Sequence, residues 1–273
     1  MKELRLMTLM LLLAGCAEST SPGFRAPDVL RSMSMGVAGA PEAVLPSGYA
    51  EVMGEVNQNF PHASHRTMRY QQVFQGSDLV DPVIVGLCLR RDEAVQTFQR
   101  EKTLTVRLGP TSLDYTTLGT AFDGNFSAAP TEVFSGNVTI PAAAIGGTPA
   151  DFDLCIPFTQ AYEHPAGSNV IVEVINTSVD LGSAARDACE SGVAACTTAR
   201  VWALSPVATT ATNFDRSGLV MKFVSPAPPK PVDPVSHEEC FKGGWSDFEF
   251  RNQGQCVRFV ETGLDSRIPE VEA

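Results

Sequence analysis

From Thr67 onward, apolar and polar residues alternate with a period of two rather than 3.6. Thr103-Leu104-Thr105-Val106-Arg107-Leu108 places Leu104, Val106 and Leu108 on one face, and Phe152, Leu154, Ile156 and Phe158 repeat the pattern around Cys155. Successive side chains of a strand point to opposite faces, so each run predicts a strand with one buried side. Segments 67–75, 82–90, 131–140, 168–177, 199–206 and 218–225 read the same way. Val170-Ile171-Val172-Glu173-Val174-Ile175 is apolar on both faces apart from Glu173, which is the pattern of a central strand. Gly109-Pro110, Asp123-Gly124-Asn125 and Gly146-Gly147 supply turns between the runs. Helix is expected only over 92–98 and 182–196, and Met33, Met35 and Val37 are read as an early strand. About eight strands without long helices between them predict an all-β fold, an antiparallel β-sandwich of jelly-roll type over 49–225.

The flanks break the alternation. Residues 16–48 are rich in Ser, Pro, Gly and Ala, the composition of a flexible tether. Five prolines between Ser225 and Pro234 predict an extended spacer, and 226–239 is read as a linker. The segment 240–263 is a compact unit in which Phe248 and Phe250 alternate, Asn252-Gln253-Gly254 turns, and Val257 and Phe259 follow. That pattern predicts a hairpin, and about two dozen residues need a staple to fold alone. Residues 264–273 read as an acidic tail.

The first residues carry an address. Lys2 and Arg5 precede the apolar run from Leu6 to Leu13, which is far shorter than the roughly 20 residues of a membrane-spanning helix. A basic head, a short apolar run and small residues before a cut describe an export signal over 1–15. Leu13-Ala14-Gly15-Cys16 resembles the lipobox of bacterial lipoproteins. The resemblance implies a diacylglycerol on the Cys16 thiol and cleavage just before it. Ala17 stands where an aspartate would imply inner-membrane retention, so the resemblance implies the outer membrane or cell surface.

Composition narrows the partners. Hydrophobic residues at 44% and charged residues at 19% suit a folded soluble domain, and the net charge of −11 argues against nucleic acid. The expected membrane contact is through the lipid. Six cysteines remain beside Cys16, an even number that favours disulfides in an exported chain. They allow fifteen pairings. The reading adopted joins the close pairs, Cys189–Cys196 and Cys240–Cys256, and leaves Cys88–Cys155 to link two strands.

Two further resemblances follow. The run Cys240-Phe241-Lys242-Gly243-Gly244-Trp245 with Asn252-Gln253-Gly254-Gln255-Cys256-Val257 looks like a short module near the C-termini of bacterial exported proteins. It implies export and a Cys240–Cys256 staple rather than an activity. Across about 54–224, Asn57-Gln58-Asn59-Phe60-Pro61, Met68-Arg69-Tyr70-Gln71-Gln72 and Pro165-Ala166-Gly167-Ser168-Asn169 are similar to a group of bacterial secreted β-sandwich proteins, often surface-anchored. Members of that group usually lack the cysteines at 88/155 and 189/196.

Catalytic patterns are sparse. No G-x-S-x-G accompanies His62, His65, His164 or His237, and His237-Glu238-Glu239-Cys240 lacks the second histidine of a zinc protease. His62 and His65 are read as a surface pair beside a turn. No cofactor is expected; calcium is the one weighed, through Asp151, Asp153 and Asp123 with Asp78 and Asp81 as further turn carboxylates, against the plainer reading of these residues as turn formers. Trp202 is read as core and Trp245 as the plug of the small module. Asn125, Asn137 and Asn176 begin N-x-[ST] sequons. The sequence therefore favours a surface binding, adhesion or structural module that meets a glycan or an envelope protein. The alternative is an envelope hydrolase of glycosidase type with a carboxylate pair drawn from separate strands.

Overall fold

The structure, a computed structural model, describes residues 41–62, 66–92, 98–142, 147–178, 182–227 and 233–267. Cys16, the early strand expected at Met33 to Val37 and most of the helix expected at 92–98 lie outside them.

The described chain is an antiparallel, sandwich-like all-β fold. β1 (Glu42–Leu45), β13 (Met221–Val224), β4 (Val83–Leu89) and β7 (Leu154–Glu163) form a four-stranded sheet in that spatial order. β11 (Asn213–Asp215), β10 (Ala199–Ala203), β3 (Met68–Phe74), β8 (Asn169–Asn176), β5 (Arg100–Thr111) and β6 (Thr131–Ile140) form a six-stranded one. β12 (Gly218–Leu219), β9 (Arg186–Cys189) and β2 (Val56–Gln58) make a small third sheet.

Alternation explains the core. Leu87, Ile156 and Phe223 from the four-stranded sheet meet Phe74, Val106 and Val172 from the six-stranded one. Phe74 and Phe223 pack edge to face with centroids 5.4 Å apart. The six-stranded sheet is covered on its other side too, where Val73, Ile171 and Val201 lie under Leu118 and Phe122. β3 is therefore buried at all seven positions, and β8 sits between β3 and β5, as an almost wholly apolar strand should.

Three sequence expectations need correction. The last part of the tether region is β1, paired with β13 from Glu42↔Val224 to Leu45↔Met221, and Leu45 is buried. The helix expected over 182–196 is instead β9 followed by turns. The four residues of β9 are all buried because the strand pairs on both edges and its charges are matched by ions. The hairpin expected beyond the prolines is helical: α1 (His237–Cys240) and α2 (Gln253–Thr262). Asn252 caps α2 by accepting the Gln255 N–H, and Gly263 ends it with φ +70°.

Disulfides join Cys88 to Cys155, Cys189 to Cys196 and Cys240 to Cys256. Cys88 and Cys155 are direct register partners of β4 and β7. In the C-terminal unit, Trp245, Phe248 and Phe259 pack around buried Cys240, Phe250 and Cys256. Arg267, expected in an acidic tail, stacks on Phe250 at 4.5 Å and binds Asp233 at 2.6 Å, which closes this unit.

Candidate functional site

The one charged residue of the most apolar strand organises the outer face of the six-stranded sheet. Register places Val201, Gln71, Glu173 and Arg107 in one row across β10, β3, β8 and β5. Side chains in such a row stand side by side on one face. Glu173 is fully buried; its Oε1 accepts from Arg69 Nε and Gln71 Nε2, each at 2.8 Å, and its Oε2 faces Arg107 Nη2 at 2.5 Å. An ion buried so deeply is tolerable only when paired and hydrogen-bonded.

Arg69 carries the network up into two loops. Its Nη1 donates to the Ala208 carbonyl at 2.9 Å, and its Nη2 meets Asp123 Oδ1 at 2.5 Å. Burial works against its charge, but the bonds to Asp123 and Glu173 outweigh it and hold its pKa above the ordinary arginine value. Gln71 also donates to the Phe122 carbonyl, and its Oε1 accepts from Asn125 Nδ2. Backbone bonds from Phe122 N to Thr209 O and from Ala211 N to Thr120 O then knit loop 112–127 to loop 204–212. Within the first loop, Asp114 Oδ1 accepts from the backbone and hydroxyl of both Thr116 and Thr117. Those bonds hold its carboxyl below the usual aspartate value.

The result is a pair of loops fixed from beneath by ions, of which the second carries the exposed large apolar side chains. Val207 is 84% exposed, and Leu204 and Phe214 on the same β10–β11 hairpin are 43% exposed. Trp202, half-buried on the other side of β10, stacks against Phe60 at 5.7 Å and under Arg200 at 4.8 Å.

A second set of buried ions lies around the third sheet. Arg90 and Asp187, both fully buried, pair at 2.7 Å. Arg90 also donates to the carbonyls of Tyr49, Ala50 and Val52, and Asp187 accepts from Gly54 N. Gly54 lies where a Cβ would stand 2.1 Å from the Ala188 carbonyl, so no larger residue fits this approach. Asp153 sits between Arg91 Nε at 2.6 Å and Arg186 Nη1 at 2.9 Å.

The residues singled out from sequence fare unevenly. The calcium candidates do not assemble: Asp123 is taken by Arg69 and Asp153 by two arginines, which already neutralise the charge a cation would need. Among the described residues no group of three or more His, Cys, Asp or Glu side chains could hold a metal ion. Asp151 is exposed, and Asp81 caps the Val83 amide. His62 is not a surface residue; it is fully buried, while His65 lies outside the described residues. Asn125 and Asn176 are buried, and their amides bond to Gln71 and to the Pro61 carbonyl, which removes two of the three sequons as acceptors. The network residues Arg69, Gln71 and Arg107 were missed. Their only signal in the sequence is the lone Glu173 in an apolar strand, which demands partners on its neighbours.

Comparison with protein-family models, with curated proteins and with solved structures finds no significant match to this chain.

Proposed function

We propose that the chain is an exported cell-envelope lipoprotein, tethered by lipid on Cys16. Its β-sandwich presents the paired loops 112–127 and 204–212 to a protein partner. The lipid address rests on Leu13-Ala14-Gly15-Cys16, and the outer-membrane or surface location on Ala17. The observation that carries the binding role is the exposure of Val207 and Leu204 on a hairpin held down by Arg69 and Ala208. Prefixed loops lose little entropy on binding, so more of the contact energy becomes affinity. Aliphatic tips of this kind suit a protein surface better than a sugar, which stacks on flat aromatic rings.

A hydrolase of glycosidase type draws less support, because the fully buried carboxylates Glu173 and Asp187 are both bound to arginines. Val207→Asp and Leu204→Asp test the proposal in the full chain carrying Cys16→Ser, which has no lipid to hold it, by sedimentation with isolated envelopes. Both variants are expected to melt like the parent and to lose envelope binding measured through the ectodomain. Retained binding in both would contradict the proposal, and competition by soluble glycans would move the partner class to carbohydrate.

A further inference from the structure

The three disulfides differ in how they meet solvent. Cys88, Cys189, Cys196, Cys240 and Cys256 are each no more than 5% exposed, whereas Cys155 is half-buried. Strand alternation sets its direction. Leu87 and Leu89 of β4, with Leu154 and Ile156 of β7, face the core, so Cys88 and Cys155 between them stand on the outer face of the four-stranded sheet. A neighbouring row on that face pairs Gly86, which has no side chain, with the exposed Pro157. β7 is also the last strand of its sheet, so no strand of that sheet lies beyond Cys155 in the direction from Cys88 to Cys155. A thiol therefore meets the Cys155 sulfur before any other sulfur of the three bridges.

The pairing that frames this bond does not depend on it. Register runs through Leu87↔Ile156 on one side and Leu89↔Leu154 on the other, and these four side chains are at most 1% exposed. Opening the bridge leaves that ladder and its core contacts in place, with the two thiols still opposite each other and able to rejoin. The other two bridges lack such a frame: Cys189–Cys196 spans turns after β9, and Cys240–Cys256 ties the four-residue α1 to α2.

We infer that Cys88–Cys155 is a redox-sensitive latch, opened and closed reversibly by dithiols while the sheet around it stays folded. A thiolate of the dithiol attacks the Cys155 Sγ and forms a mixed disulfide, as the Cys88 sulfur departs and takes up a proton. The second thiol of the reductant then attacks its own sulfur in that mixed disulfide and releases Cys155, which is protonated in turn. The dithiol ends as a disulfide, and the protein pair has gained two electrons and two protons. Because the bridged residues lie 67 positions apart, opening the latch frees a long loop in the unfolded chain, so the reduced protein is folded but less stable.

The test treats the full chain in detergent, without denaturant, with graded dithiothreitol. Free thiols are trapped with iodoacetamide and each cysteine peptide is read by mass spectrometry. Cys88 and Cys155 are expected to be alkylated together, about tenfold ahead of the other four. Hydrogen exchange across 83–89 and 154–163 should stay slow, the Tm should fall by about 10 °C, and oxidised dithiothreitol should restore both the bond and the Tm. Either other pair opening as early as this one overturns the inference. So does loss of protection in β4 and β7 on reduction, which would make the bond a staple of the fold rather than a latch.

Discussion

At the scale of single residues, buried charge decides what each position tolerates. Glu173→Gln keeps the shape but removes the counter-ion that faces Arg107 and one of the two that face Arg69. Breaking one partner of a buried pair costs about 3–5 kcal/mol, so urea unfolding should show a loss of that order. Glu42→Ala, which removes the exposed partner of Lys222 3.0 Å away, should cost less than about 1 kcal/mol. Equal losses in the two variants would contradict the ranking. His62 gives a pH test. Its folded value of about 3 lies below the ordinary 6.5, so the unfolded chain takes the extra proton as pH falls. Stability from this group is complete above about 6.5 and is lost progressively toward 3. Between pH 7 and 5 the parent should lose about 2 kcal/mol more than His62→Gln. Coincident pH slopes for the two proteins would show that His62 titrates normally. Neither position was readable as such in the sequence. A lone glutamate in an apolar strand marks a need for partners without naming them, and a histidine after Pro61 looks like any turn residue until the fold closes over it.

At the scale of elements, legibility followed the side-chain period. Segment 131–140, for which alternation predicted a strand, is β6, and the apolar run 168–177 holds β8, because one or both faces of those strands meet the core. β9 escaped because Arg186 and Asp187 occupy its two faces as buried ions, so the strand carries no apolar alternation and its alanines read as helix. The C-terminal unit misled for a different reason. Phe248 and Phe250 do alternate, but they lie in a turn and a coil before α2, whose real markers are the Asn252 cap, the Gly263 stop and the Cys256/Phe259/Val260 spacing. With α1 only four residues long, the Cys240–Cys256 bond is the main constraint on this unit. Replacing both cysteines by serine should remove about 3 kcal/mol from it. Hydrogen exchange should then be fast across 253–262 and unchanged in β3, β5 and β8. Undiminished protection of α2 would show that its aromatic cluster suffices.

At the scale of the whole molecule, two loops are bound to one sheet by a buried ionic row, neighbouring strands of another sheet are joined by Cys88–Cys155, and Cys240–Cys256 staples a small helical unit. Fold class was legible because it depends on period and spacing, which are local. The surface that would recognise a partner was not, because Arg69, Glu173, Asp123 and Ala208 meet only through strand register and loop return. The proposed export address is the reverse case, resting wholly on the order of residues from Lys2 to Cys16. That address is the premise of the proposed role, since a binding module needs to be held where its partner lies. The most direct measurement is fractionation of cells making the parent or Cys16→Ser, with the N-terminal peptide of the membrane-bound protein weighed by mass spectrometry. The account predicts a parent that begins at an acylated Cys16 in the membrane fraction and a Cys16→Ser protein released from the membrane. A Cys16→Ser protein that stays membrane-bound, or a parent whose Cys16 carries no lipid, would contradict it.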